Sequence, residues 1–262
     1  MSKTIKLIFI LFNILLLINS NANAALDKPK LVIAGDYWCP YNCKPNSEMP
    51  GFLVHIFKKA MYIYDIDVEY RMMPWSKALS DLDIGNIDGI IGINNIEQKN
   101  LVSSKLPMEY SVSKAFTKID TNWIYDGPES LRGKRLGIIM DYTADDSINN
   151  YIGINYTINP DEFVVEDGEN AVTESIANIL DDKCDIYIED ERVVKYYLNQ
   201  TGLGKYIRDA GPISSEKLPI YIAFRADIPN VKKYIKYFED GLASLKATGE
   251  YDDLRLKYNM DQ

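Results

Sequence analysis

The chain has 262 residues, 47% of them hydrophobic and 26% charged, with 29 basic against 38 acidic side chains and one histidine. That composition belongs to a globular protein rather than a disordered one, and the length suits one large domain or two small ones. A net charge of −9 repels phosphate backbones and argues against nucleic acid as a partner.

Residues 1–24 read as a secretory signal peptide. Lys3 and Lys6 give a basic start, residues 7–18 are apolar with one interruption at Asn13, and Ala22-Asn23-Ala24 is a small-x-small pattern that puts the cut before Ala25. The apolar run is shorter than the roughly 20 residues that span a bilayer. No Cys stands at the cut, which argues against a lipid anchor there. Removal leaves 27 basic against 38 acidic residues, or −11. The expected location is the periplasm.

KLVIAGD at 30–36 reads as a first strand, followed by the aromatic loop Tyr37-Trp38-Cys39-Pro40-Tyr41-Asn42-Cys43. Leu53, Ile56, Phe57, Ala60 and Met61 have helical spacing. A strand over 67–72 alternates Val68, Tyr70 and Met72. Pro74 starts a helix carrying Ala78, Leu79 and Leu82 inward, and 88–93 is a third strand. Strand, helix, strand, helix, strand implies right-handed crossovers and a parallel sheet. Residues 94–108 read as irregular, and 111–117 as a strand.

A second cycle starts near 131. LGIIM at 136–140 is a strand, and Thr143 is the expected N-cap of a helix bearing Ile148, Tyr151 and Ile152. Phe163-Val164-Val165 is a strand, Val172, Ile176, Ile179 and Leu180 share a helix face, and 185–188 is the matching strand. Asp190 opens a helix that stops near Gly202. The tail returns a strand at 220–224, a helix over 230–246 and a short helix after Gly249. Leu82-Asp83-Ile84-Gly85-Asn86-Ile87-Asp88-Gly89 and Leu180-Asp181-Asp182-Lys183-Cys184-Asp185 repeat one grammar: helix end, turn, Asp, buried strand. The long period fits two similar halves. Lobe 1 is expected to hold 25–111 and 221–262, and lobe 2 to hold 115–217. The chain would cross near 111–115 and 217–221, a hinge around a ligand cleft.

Cys39 and Cys43 are four apart, a spacing that favours a small disulfide ring over two free thiols, with Cys184 left over. One histidine and no second Cys pair make a metal site unexpected, and no cofactor is called for. His55 reads as structural, and Asp88 and Asp185 as residues that fix turns and strand ends. Glu189, Asp190 and Glu191 do not face one another on a helix, so paired catalysis from that run is not expected.

In order and spacing, LVIAGDYWCPYN, PGFLVHIFKKA, MPWSKALSDLDIGNIDGIIG, ESLRGKRLGIIMDYT and NILDDKCDIYIED resemble the periplasmic solute-binding proteins of family 3, which serve polar amino acid ABC transporters. The resemblance implies an α/β, two-lobed periplasmic-binding-protein fold of type II with a two-strand hinge. It implies an aromatic stack on the ligand from Trp38 or Tyr37, and contacts from Gly92, Asn94 and Asn95. It also implies carboxylate donors from Tyr142 and Thr143 at a helix start, and an acid for the ligand ammonium at Asp190. Trp75 is as well suited to ligand contact as to core packing. One departure stands out: Asn95-Ile96-Glu97-Gln98-Lys99 holds no Arg where the family places a carboxylate clamp. Lys99 brings charge without the planar fork, and Arg71, Lys77, Lys114 and Arg132 are the other cations that could replace it.

The expected protein is a monomer and not an enzyme. It binds a small polar solute and hands it to an ABC transporter permease. The rivals are an enzyme on the same fold, of dehydratase or lyase type with Asp190 and Glu109 as acids, and a sensor that docks on a receptor.

Overall fold

The computed structural model describes residues 28–94 and 100–261. Residues 1–24, Asn95 and Lys99 lie outside them. Eleven strands among the described residues form two sheets.

The first sheet is built from β1 (Lys30–Gly35), β2 (Asp67–Met72), β3 (Gly89–Ile93), β4 (Leu101–Ser103), β5 (Glu109–Ser111) and β11 (Leu218–Arg225), in the order β2-β1-β3-β11-β4, with β5 also on β11. β1 is parallel to β2 and β3, and β11 runs antiparallel to β3. The crossover helices are α1 (Phe52–Tyr62) and α2 (Trp75–Asp83). The second sheet holds β6 (Ser113–Lys118), β7 (Leu136–Ile139), β8 (Phe163–Glu166), β9 (Ile186–Asp190) and β10 (Ile207–Pro212), in the order β10-β6-β9-β7-β8. Its helices are α3 (Asp146–Ile158), α4 (Ala171–Leu180) and α5 (Glu191–Thr201). The chain passes from the first sheet to the second at Val112 and returns across residues 213–217. The tail helices α6 (Val231–Thr248) and α7 (Glu250–Lys257) pack back on the first sheet, where Phe57 of α1 meets Phe224 and Phe238.

The repeated grammar has a physical meaning in both halves. Asp88 accepts the Val32 amide at 2.7 Å and returns its own amide to Val32 O at 2.7 Å. Asp185 accepts the Arg135 amide at 2.8 Å and gives its amide to Arg135 O at 2.8 Å. Each Asp therefore splices the start of its strand to the neighbouring parallel strand, at Val32 within β1 and at Arg135 just before β7. Asp185 adds a salt bridge to the Arg135 guanidinium at 2.7 Å.

Three elements differ from the sequence reading. β4 lies in the stretch read as irregular; three residues gain strand geometry by pairing with β11. β10 lies in a stretch given no element in the sequence reading; it pairs with β6 and its register shifts between Asp209 and Pro212. The N-cap of α3 is Asp145, not Thr143: its carboxylate accepts the Ser147 amide at 2.8 Å. The Thr143 hydroxyl is engaged elsewhere, on Asn94.

Cys39 and Cys43 form a disulfide, and Cys184 is a buried free thiol. The ring holds the aromatic loop against the start of α1, where the Phe52 and Leu53 amides donate to Pro40 O and Tyr41 O at 2.8 and 3.0 Å. Gly51 permits this approach. Its φ is +110°, and a Cβ there would fall 2.3 Å from Tyr41 O and 2.7 Å from Cys43 N. Both neighbours are backbone and cannot swing aside. Gly51→Ala is expected to cost at least about 3 kcal/mol, from backbone strain plus overpacking. Urea unfolding checks it; a loss below about 1 kcal/mol would show that the loop can move off the helix.

His55 is half-buried and shares a hydrogen bond with Tyr258 OH at 3.2 Å. Burial lowers its pKa, with Lys257, Lys59 and Lys58 adding to the effect. This is a packing role on the outer side of α1.

Candidate functional site

In open α/β sheets ligands bind beyond the carboxyl ends of the strands. Here two sheets bring four such ends together. β1 runs out into Asp36 and Trp38, β3 into Asn94, β7 into Tyr142 and Thr143, and β9 places Glu189 one residue before its end. The crossing between β5 and β6 supplies Ser111 and Ser113, and the start of α2 supplies Trp75. These residues and Gly92 line one cavity of about 50 Å³. At roughly 10–15 Å³ per water, it holds a few waters, so a solute enters only if its walls separate.

Side chains from the two sheets meet across this space. Trp38 Nε1 donates to Glu189 Oε1 at 3.0 Å, and Tyr142 OH donates to Asp36 Oδ2. The Thr143 hydroxyl donates to Asn94 Oδ1 at 2.7 Å, and Ser76 Oγ to Asp167 Oδ1 at 2.8 Å. The Trp38 indole stacks on Tyr41, with centroids 4.3 Å apart, and Trp75 meets Tyr142 edge-on at 6.4 Å. Gly92, at φ +103°, leaves room for the Asn42 side-chain amide, which donates to Ile91 O at 3.1 Å and braces the floor.

The electrostatics are those of two buried acids. Asp36 is 8% exposed and Glu189 6%. Burial pushes the Asp36 carboxyl up to about 7. Burial also pushes Glu189 up to about 7, against the restraining hydrogen bonds of Trp38, the Asp190 amide and Tyr187 OH. Among the described residues neither acid forms a salt bridge.

Of the residues singled out in the sequence, the cavity gathers Trp38, Trp75, Gly92, Asn94, Tyr142 and Thr143. Tyr37 turns away: its ring lies edge-on to Tyr197 at 5.8 Å, and its carbonyl accepts from Tyr197 OH. Asp190 is not a wall residue either. It is 1% exposed, and its carboxylate is filled from five sides. Oδ2 accepts Ser111 Oγ, the Val112 amide and Tyr41 OH at 2.8, 3.0 and 3.0 Å; Oδ1 accepts the Arg192 and Val193 amides at 2.8 and 3.2 Å. It caps α5 and ties the crossing strand and the aromatic loop to it.

Asp36, Glu189, Ser111 and Ser113 are the wall residues that the sequence reading missed. Strand parity was the available signal for Glu189: it shares a face with Tyr187, whose hydroxyl it accepts at 2.8 Å. The four described cations considered as carboxylate clamps are paired elsewhere. Arg71 meets Glu69, Lys77 meets Asp81, Lys114 meets Glu191 and Asp209, and Arg132 meets Glu129. Glu109, once considered as a catalytic acid, is bound by Arg255 and Tyr251 OH.

No curated protein matches the chain in sequence. Among solved structures, a histidine kinase sensor domain with similarity to periplasmic binding proteins superposes with a TM-score of 0.73 at 20% identity, over 88% of this chain and 97% of that one. A mutant of ArgBP from T. maritima gives 0.71 at 18%, over 88% and 95%. The substrate-binding protein of an amino acid ABC transporter gives 0.68 at 18%, over 87% and 98%. These likenesses establish the two-lobed fold. Residues 31–261 match the model of the bacterial extracellular solute-binding proteins, family 3, and the chain belongs to that family.

Proposed function

We propose that the chain captures a small polar solute, an amino acid or a related compound, between its two lobes outside the cytoplasm and delivers it to an ABC transporter permease. The carrying observation is the cavity itself. It is assembled from strand ends of two sheets that face each other through side-chain hydrogen bonds, and the chain joins those sheets through two short crossings. The lobes, 25–111 with 221–262 and 115–217, part to admit solute and close on it, and the closed state is favoured by contacts the open state lacks. Residues 1–24 direct export and are removed before Ala25. The protein works as a monomer and turns nothing over. Asp190 and Glu109, the acids the sequence offered for the enzyme reading, are spent on internal hydrogen bonds and an ion pair.

A thermal-shift screen of amino acids, polyamines and organic acids tests the reading. A solute at a hundred times its Kd adds about 2.7 kcal/mol, or roughly 5–10 °C in Tm for a protein of this size. Trp38→Ala should abolish that shift. No stabilisation by any small solute would overturn the proposal. The likeness to a kinase sensor domain favours one second reading, a ligand sensor that docks on a membrane receptor. Co-purification with a permease rather than a receptor decides between them.

A further inference from the structure

Resting on that reading, we infer that the captured solute is an N–H-bearing organic cation without a carboxylate: a primary amine, diamine or guanidine rather than an α-amino acid.

Three observations converge. The ionisable acids of the cavity, Asp36 and Glu189, face it from opposite lobes, and no described lysine or arginine lines it. Both carboxyls are buried and receive neutral donors: Tyr142 OH for Asp36, and the Trp38 indole, Tyr187 OH and a backbone amide for Glu189. A buried acid with no cationic partner favours a ligand that brings the positive charge.

Second, among the described residues the groups at the start of α3 that would bind a carboxylate are already used. The first turn of α3 is capped by the chain's own Asp145 through the Ser147 amide, and Asp146 adds a second negative charge there. The Ala144 amide donates to Asn149 Oδ1 at 2.9 Å, and the Thr143 hydroxyl to Asn94. An anion at this helix start would meet two acids instead of free amides, reversing the usual preference.

Third, three of the remaining wall residues are aromatic. Trp38, Trp75 and Tyr142 line the same space, and aromatic rings attract cations. Two acceptor carboxylates ask for a cation with N–H donors, which a quaternary ammonium lacks.

Calorimetric titration with matched pairs tests the inference: agmatine against arginine, and putrescine against ornithine, each differing by one α-carboxylate. The decarboxylated member should bind at least 30-fold more tightly. In Glu189→Gln its affinity should fall at least 30-fold while the thermal unfolding transition is kept. Equal or tighter binding of the amino acids would overturn the inference and leave the solute-binding function standing. If neither these pairs nor any compound of the thermal-shift screen binds, both fall. Unchanged agmatine affinity in Glu189→Gln, with Asp36→Asn also unchanged, would overturn the assignment of the ammonium site.

Discussion

Glu189→Gln should make the protein more stable at pH 8 while removing its capacity to hold solute. In the unfolded chain this carboxyl ionises near its ordinary value of 4.5, whereas in the folded chain burial holds it near 7. Between those values the folded state binds the extra proton, so stability falls as pH rises from about 4.5 to 7. Below that window the group is neutral in both states and costs nothing. Above it the charge is ionised and buried, a loss of about 3 kcal/mol at about 1.36 kcal/mol per pKa unit. Glutamine removes the ionisation and keeps an oxygen for Trp38 Nε1 and the Asp190 amide, which both donate to Oε1 in the native protein. Urea unfolding at pH 4 and pH 8 should therefore show a variant about 3 kcal/mol more stable at pH 8 and close to the parent at pH 4. A variant less stable than the parent at pH 8 would mean that a cation neutralises Glu189 in the folded chain. Stability given up for a buried charge is characteristic of a binding site.

Asp190→Ala should be the more damaging substitution, although the residue touches no wall of the cavity. Its removal strips the cap from α5, about 1 kcal/mol. It also leaves Ser111 Oγ, the Val112 amide and Tyr41 OH as buried donors, at roughly 1–3 kcal/mol each. The total is on the order of 5 kcal/mol, comparable to the whole stability of many domains. Far-UV circular dichroism and urea unfolding should find the variant largely unfolded or close to it. A cost below about 1 kcal/mol with lost binding would restore Asp190 to the solute-contacting role that the family resemblance suggested.

That contrast shows where the sequence was informative. β1, β3 and β7 are runs of β-branched and aliphatic residues, and the local signal agrees with the fold. β4 and β10 exist because β11 and β6 offer an edge to pair with, a tertiary effect that Gly211 and Pro212 conceal. The recurrent Asp before a strand was legible as a repeat, but its work of splicing neighbouring strands appears only in the hydrogen bonds of Asp88 and Asp185. Within the cavity, the loop after β1 and the segment after β7 were legible from their aromatic and hydroxyl residues. The resemblance put an acid at Asp190, whereas the acids on the cavity wall are its neighbour Glu189 and Asp36. Consecutive side chains near a strand end point to opposite sides, which sends Glu189 into the cleft and Asp190 beneath it, and Asp36 in while Tyr37 turns out. The absence of an Arg after β3 was visible in sequence, but only the structure shows that the described alternatives, Arg71, Lys77, Lys114 and Arg132, are in ion pairs elsewhere.

The most direct test is a crystal structure of the mature protein, exported from its host and grown with the compound that co-purifies with it. The account predicts that compound between Trp38 and Trp75, its cationic group between Asp36 and Glu189, in a cleft closed by both lobes. A compound seated outside this cleft, or a cleft that stays closed and empty while solute binds elsewhere, would contradict it.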